Sequence, residues 1–205
     1  MGIYARHVLP RLIDLAMGCA AIAADRAALV PQASGRVLEV GIGSGLNLPF
    51  YARGVTRLVG VDPSAALWRL ARRRAALVSF PLAFLDSSAE HLPARDAAFD
   101  TVVATWTLCS VADPGAALGE IRRVLVPGGR FLFIEHGRSP DPRVYAWQRR
   151  VTPVWKRLAG GCHLDRSADE LIRAAGLRIA SIEAGYAEGP RLFTYRVRGV
   201  ATRPS

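Results

Sequence analysis

Lysine is nearly missing from this 205-residue chain: Lys156 is the only one, so a formal charge of +10 is carried almost entirely by arginine. Such an excess follows genomic base composition as readily as selection for a partner, although a basic surface favours anionic surroundings. Cysteine is scarce as well. Cys19, Cys109 and Cys162 are too few and too scattered along the chain for a disulfide framework or a zinc site, so a reducing, cytoplasmic setting is expected and no metal is expected. A long unbroken apolar run is also missing. Residues 8–24 come nearest, but Pro10, Arg11 and Asp14 interrupt them, which argues against a spanning helix or a signal segment. There is no internal repeat and no low-complexity tract. With 51% hydrophobic residues, the chain can bury one good core, and nothing suggests a second complete domain.

One further absence is more telling. Residues 36–49, RVLEVGIGSGLNLP, read as a short apolar strand that ends in an acidic residue and a glycine turn. Gly41, Gly43 and Gly45 let the backbone turn tightly and approach a ligand. The pyrophosphate fingerprint GxGxxG, however, requires glycine at position 46, where this chain has Leu46. Glu39 would also repel a phosphate placed at this turn. The pattern therefore favours a nucleotide-like ligand that carries positive charge. A second strand over 57–61 ends at Asp62, 21 residues after Gly41, where a carboxylate can accept both hydroxyls of a ribose. Pro63 and Ser64 open the helix that follows.

Strands are expected at 36–41, 57–61, 80–85, 99–105 and 130–135, with helices near 46–53, 64–78, 89–92 and 113–125. This alternation implies a mostly parallel α/β sheet covered on both faces. Asp113-Pro114 is a helix start, and a helix near 142–158 is expected inside the long connection from Gly137 to about Arg166. Ser167 and Glu170 form a candidate capping box for a helix ending at Gly176, followed by strands at 177–186 and 191–200 that pair antiparallel. Residues 7–29 have Leu9, Leu12, Ile13 and Ala16 at helical spacing and Pro31 as a stop. The expected division is an N-terminal helical extension over 1–31 and one domain over 32–205.

Glu39, the three glycines and Asp62, followed by AFDTVVATWTLCSV (98–111) and LGEIRRVLVPGGRFLFIEH (118–136), make the chain resemble the class I S-adenosylmethionine (SAM) dependent methyltransferases. The core is similar to that of ubiquinone/menaquinone C-methyltransferases. EHGRSPDP (135–142), the Trp-containing segment after it and GGCHLDR (160–166) look like a narrower group, the bacterial relatives of methyltransferase-like proteins seven, whose animal members act on alkyl thiols at membranes. The resemblance implies a Rossmann-like seven-stranded sheet of order 3-2-1-4-5-7-6 with its last strand antiparallel, and an N-terminal helical lid. It implies Glu39 toward the cofactor's amino group, Gly41, Gly43 and Gly45 at its methionine portion, Asp62 and Pro63 at its ribose, Ser88 and Ala89 at adenine, and Thr105 at the fourth strand's end. Many relatives carry Asp at the position of Ser88.

A sulfonium cation and an ammonium group suit a turn lined by carboxylates. Methyl transfer needs positioning and dryness more than a catalytic side chain, and a base matters only for a protonated acceptor. His136 is the first candidate for that base, with loop bonding as its alternative role, and His163 is the second. Trp106, Cys109 and Cys162 are candidate acceptor contacts. The expected function is methyl transfer to a small lipophilic acceptor, such as a thiol, a quinone or phenol, or a phospholipid head group, in the cytoplasm or at an anionic membrane surface. The product would be S-adenosyl-L-homocysteine. Rival readings are a SAM-binding module without turnover and a nicotinamide-dependent oxidoreductase, which Leu46 disfavours. Nucleic acid is disfavoured because TWTLCSV (105–111) lacks both the Asn/Asp-Pro-Pro-aromatic and the Pro-Cys motif of base-modifying relatives. The sequence leaves the oligomeric state open.

Overall fold

The computed structural model describes residues 9–205. The first two positions of the helical stretch expected from residue 7, and the first eight of the 1–31 extension, lie outside the described residues. Two helices follow, α1 (Leu9–Met17) and α2 (Ala20–Leu29), separated at Gly18, whose N–H still bonds back to the Asp14 carbonyl at 3.0 Å.

The sheet has seven strands: β1 (Gly35–Val40), β2 (Val55–Val61), β3 (Leu82–Leu85), β4 (Phe99–Thr105), β5 (Leu125–His136), β6 (Arg178–Tyr186) and β7 (Tyr195–Thr202). Their order is β3-β2-β1-β4-β5-β7-β6, as the resemblance implied. β1 to β5 pair in parallel, whereas β7 runs antiparallel to both β5 and β6. Helices α3 (Ala65–Ala75), α4 (Pro114–Val124), α5 (Pro142–Leu158), α6 (Ala168–Ala174) and the single turn α7 (Arg191–Thr194) complete the chain.

Alternation along the central strands divides the core. Leu38, Val102 and Phe131 pack on one face with Leu118 and Ile121 of α4, whereas Val37, Val103 and Leu132 pack on the other with Leu29 of α2. Because both faces are covered, the inner strands are almost continuously apolar, as parallel strands require. Glu39 on β1, at 1% exposure, and Glu135 on β5 are the buried carboxylates that break this pattern. Glu39 lies near the carboxyl end of β1, opposite Gly60 of β2 and Val103 of β4. That end of the sheet carries the loops that build the site.

Several local expectations need correction. No α-helix forms over 46–53. Leu48–Phe50 makes one 3₁₀ turn, because Asn47 and Tyr51 are drawn back to Glu39 and Pro49 lacks an N–H. Residues 89–92 form a turn rather than a helix, with the His91 N–H on the Ser88 carbonyl at 3.2 Å. β5 starts at Leu125 rather than at 130 and absorbs Pro127-Gly128-Gly129 as an irregularity, the register jumping from Phe99↔Leu125 to Thr101↔Arg130. The segment expected as a strand from 191 begins with the turn α7, and β7 starts only at Tyr195. Ser167 makes no capping bond. Its hydroxyl turns to Asp169, and Arg138 engages Glu170. Asp113 does cap α4, accepting the Ala116 N–H at 3.0 Å.

Candidate active site

A cavity of about 840 Å³ opens at the carboxyl ends of β1 to β5, where open α/β sheets hold their ligands. Strand order sets its layout. Asp62 follows β2, Glu39 lies one residue from the end of β1, Thr105 ends β4 with Trp106 to Cys109 after it, and His136 ends β5. Neighbouring strands lie ~4.8 Å apart, so these groups form a row along one edge.

The glycine turn is built as its residues dictate. Gly41 and Gly45 have φ of +73° and +77°, which favours glycine. A Cβ on Gly41 would strike the side chain of Thr107, whose hydroxyl bonds to the Val40 carbonyl at 3.1 Å. Gly41 and Gly43 line the cavity. Gly45 does not, and it instead lets the turn sit against Ala71 of α3. Asp62 fastens the turn: its two carboxylate oxygens accept the Gly43 N–H at 2.9 Å and the Ser64 N–H at 2.8 Å. Each oxygen keeps a lone pair for a further donor. Burial raises the pKa of Asp62, with the two backbone bonds opposing and Asp86 adding to the rise.

Glu39 accepts the Asn47 side-chain amide at 2.9 Å and the Tyr51 hydroxyl at 2.8 Å, one on each oxygen. Burial pushes its pKa up to about 7 against the pull of Tyr51, Asn47 and Arg26. Asn47 also donates to the Thr105 hydroxyl at 3.0 Å and accepts from Arg26 Nε at 3.0 Å. Asn47 therefore links a buried anion to a buried cation, since Arg26 is only 4% exposed. Burial lowers Arg26 to about 10, while Glu39 counteracts the shift. Its guanidinium lies 4.9 Å from the centre of the Trp106 ring. Arg26 and Asn47 line the cavity, and sequence reasoning missed both. Asn47 is the only asparagine in the chain and sits just past the glycine turn, a signal that was available. Nothing in α2 marks Arg26 among so many arginines.

Past β4 the backbone is held in an unusual shape. Trp106 has φ +52°, rare for a bulky residue, and its N–H reaches the Ile134 carbonyl at 2.6 Å. The fully buried Glu135 fixes the next three residues, accepting N–H groups from Thr107 (3.0 Å), Leu108 (2.9 Å) and Cys109 (3.0 Å). It serves the loop rather than lining the cavity.

His136 does line the cavity, together with Pro63, Ser88, Ala89, Thr105, Trp106, Cys109 and Cys162. Its Nδ1 lies 3.2 Å from Cys162 Sγ and 3.9 Å from Cys109 Sγ. Burial alone would depress its pKa, but the Cys109 thiol and the Glu135 carboxylate outweigh it and raise the value above 6.5. The cysteines are thus less scattered than their spacing suggests. Gly160 and Gly161, at φ +62° and +95°, fold 159–163 over the loop after β4, where the His163 N–H bonds to the Cys109 carbonyl at 2.7 Å. The His163 side chain lies outside the cavity wall, with Nδ1 3.7 Å from Asp165. Cys19 is exposed at the start of α2.

Comparison with known proteins identifies the family. Residues 38–133 match a family model described as a methyltransferase domain. The chain is 33% identical over 154 residues to thiol S-methyltransferase TMT1B of Rattus norvegicus, covering 72% of this chain but only 62% of that enzyme. It is 31% identical over 183 residues to the demethylmenaquinone methyltransferase of Thermus thermophilus, covering 82% of each. A SAM-dependent methyltransferase structure from Thermotoga maritima superposes with a TM-score of 0.70 over 98% of both chains at 21% identity, which speaks for the fold. With the sheet order and the methyltransferase match in agreement, the chain belongs to the class I S-adenosylmethionine-dependent methyltransferases.

Proposed function

We propose that the chain transfers a methyl group from SAM to a small lipophilic acceptor. The observation that carries this reading is the buried Arg26–Asn47–Glu39 chain in the cavity wall. A cation and an anion held side by side match the carboxylate and the ammonium of an amino-acid moiety, and the cofactor's methionine portion is one. Asp62, with a free lone pair on each oxygen, suits two ribose hydroxyls. Ser88 and Ala89 follow β3, two strands from Glu39, and supply the adenine wall. Pro63 and Thr105 complete the cofactor side. Within the 1–31 extension α1 acts as the lid, since Leu12, Ile13 and Ala16 line the same cavity.

When bound, the cofactor supplies a methyl already activated by a sulfonium. The protein's part is to position the acceptor and keep water out. Trp106, Trp155 and Leu158 give the acceptor an apolar wall, and Cys109 and Cys162 border it. His136 takes the proton of a thiol or phenol acceptor, a neutral imidazole in the cavity wall being the base such an acceptor needs. His163 is the weaker candidate because its ring is outside the cavity. The rat and Thermus relatives, named for a thiol and a quinone, support acceptors of this class.

The reading extends to a peripheral position on an anionic membrane from a cytoplasmic setting. Exposed Leu15 on α1 and exposed Trp147 and Val154 on α5 share their helices with the cavity-lining Leu12, Trp155 and Leu158, the last of them exposed as well. Arg143, Arg150 and Arg157 recur every seven residues among them on α5, as expected for an arginine-flanked lipid contact. Among the described residues no helix is long and apolar enough to cross a membrane. Calorimetric titration with SAM tests the cofactor side: Arg26→Leu and Asp62→Ala each weaken binding at least ~10-fold, the scale of one lost charge-assisted bond. Undiminished affinity in both variants would overturn it.

A further inference from the structure

We infer that Cys109, His136 and Cys162 form a binding site for a thiophilic divalent cation, represented by Zn²⁺, and that its occupation switches the acceptor side off. The cation is a ligand of this site and no part of the cofactor chemistry. Only the consequence for activity rests on the proposed role of His136; the site itself stands without it.

Three observations carry the inference. The donor atoms Sγ of Cys109, Sγ of Cys162 and Nδ1 of His136 all lie within 4.8 Å of one another. A tetrahedral zinc, ~2.3 Å from sulfur and ~2.0 Å from nitrogen, places sulfur and nitrogen roughly 3.6 Å apart. The two distances observed, 3.2 and 3.9 Å, bracket that value. The set of two thiolates and one imidazole, with a fourth position left toward a cavity, is one that zinc adopts with three protein ligands. All three residues line the cavity, so water or a ligand from the cavity can fill that position.

The surroundings suit such a site. The Cys109 N–H is fixed by Glu135 and the Cys109 carbonyl by the His163 N–H, so the loops that carry Cys109 and Cys162 are tied to one another. Trp155 Nε1 is a buried donor without a hydrogen-bond partner, in the cluster packed on Cys109 and Cys162. An indole N–H packed beside these two sulfurs is the kind of outer donor that supports a metal-bound thiolate. Binding converts both thiols to thiolates and releases two protons while the imidazole contributes its Nδ1 lone pair. That lone pair is the one turned toward the two thiols, so an occupied site has no free base there.

The test uses the full-length, reduced, metal-free protein titrated with Zn²⁺ against a competing chelator, and with Co²⁺ read by its thiolate charge-transfer absorption. The expected result is one ion per chain, two protons released, and a charge-transfer band. Cys109→Ser and Cys162→Ser each weaken binding more than ~100-fold, and Cys19→Ser leaves it unchanged. Thermal melts of each variant report whether it is folded. A Zn²⁺ stoichiometry below one tenth, or equal binding by the folded Cys109→Ser, Cys162→Ser double variant, would overturn the site. SAM titration of the same metal-free sample separates the two readings: zinc binding without SAM binding would count against the proposed function and leave the site standing.

Discussion

The Asn47 side-chain amide donates to Glu39 at 2.9 Å, inside a wall where that carboxylate is 1% exposed. The bond explains why an anion at the end of a central strand is tolerable, and what it is kept for. Burial still lifts Glu39 to about 7, so at neutral pH it is poised between charge states. A cationic ligand tips it to the anion.

Cofactor affinity should therefore rise with pH. Glu39 must lose its proton to face an ammonium group, so SAM binding strengthens by up to ~10-fold per unit below pH 7 and levels off above it. Glu39→Gln removes the dependence. Isothermal titrations at pH 6, 7 and 8 in buffers of different ionisation enthalpy measure both the affinity and the proton released. A flat profile in the parent protein contradicts the assignment.

The same group makes the unliganded fold pH-sensitive. Its folded-state pKa is raised, so its contribution is fully present below the ordinary value of 4.5 and is lost as pH rises through 7. The shift corresponds to roughly 3 kcal/mol. Chemical denaturation at pH 5 and pH 8 should show less stability at pH 8, with the difference reduced in Glu39→Gln or when SAM is present.

Gly41→Ala tests the turn. Its φ of +73° and the Thr107 side chain leave no room for a methyl group, so a loss of about 1–3 kcal/mol is expected. Pairing it with Thr107→Ala should recover part of that loss, measured by urea unfolding. No recovery would mean that backbone strain, rather than the clash, dominates.

His136→Gln tests the acceptor side. A base works when neutral, so kcat/KM for a thiol acceptor should climb with pH through a pKa above 6.5 in the parent. The variant should lose about 10²–10⁴-fold and that limb of the profile, while SAM affinity stays within ~3-fold. An unchanged pH profile would assign His136 to loop bonding.

Lipid contact is tested by sedimentation with vesicles of graded anionic content. Leu15→Glu and Trp147→Glu replace exposed apolar groups on α1 and α5, and each should reduce bound protein several-fold. Binding that is independent of lipid charge would remove the membrane from the account.

The sheet order was legible because strand and helix periods alternate cleanly and because the motifs stood in family order. The glycine turn with Glu39 and Asp62 was legible because a missing glycine at 46 and two carboxylates have direct electrostatic meaning. What escaped depends on contacts distant in sequence. Arg26 looks like any other arginine until α2 packs on the sheet and brings it to Asn47, 21 residues on. Glu135 has no visible role in the sequence, and only the fold brings three backbone N–H groups to it. Cys109 and Cys162, 53 residues apart in the chain, meet only because Gly160 and Gly161 fold one loop over another. Residues 46–53 failed as a helix for the opposite reason: their side chains were committed to Glu39.

The central claim is methyl transfer to a lipophilic acceptor, and the most direct measurement is incubation with methyl-labelled SAM and separate thiol, phenol, quinol and aminophospholipid panels. The account predicts label in the organic extract of at least one panel, together with stoichiometric S-adenosyl-L-homocysteine, and a signal sharply reduced in His136→Gln for a thiol or phenol. SAM bound by the protein, with no acceptor labelled, would contradict it and leave a binding module without turnover.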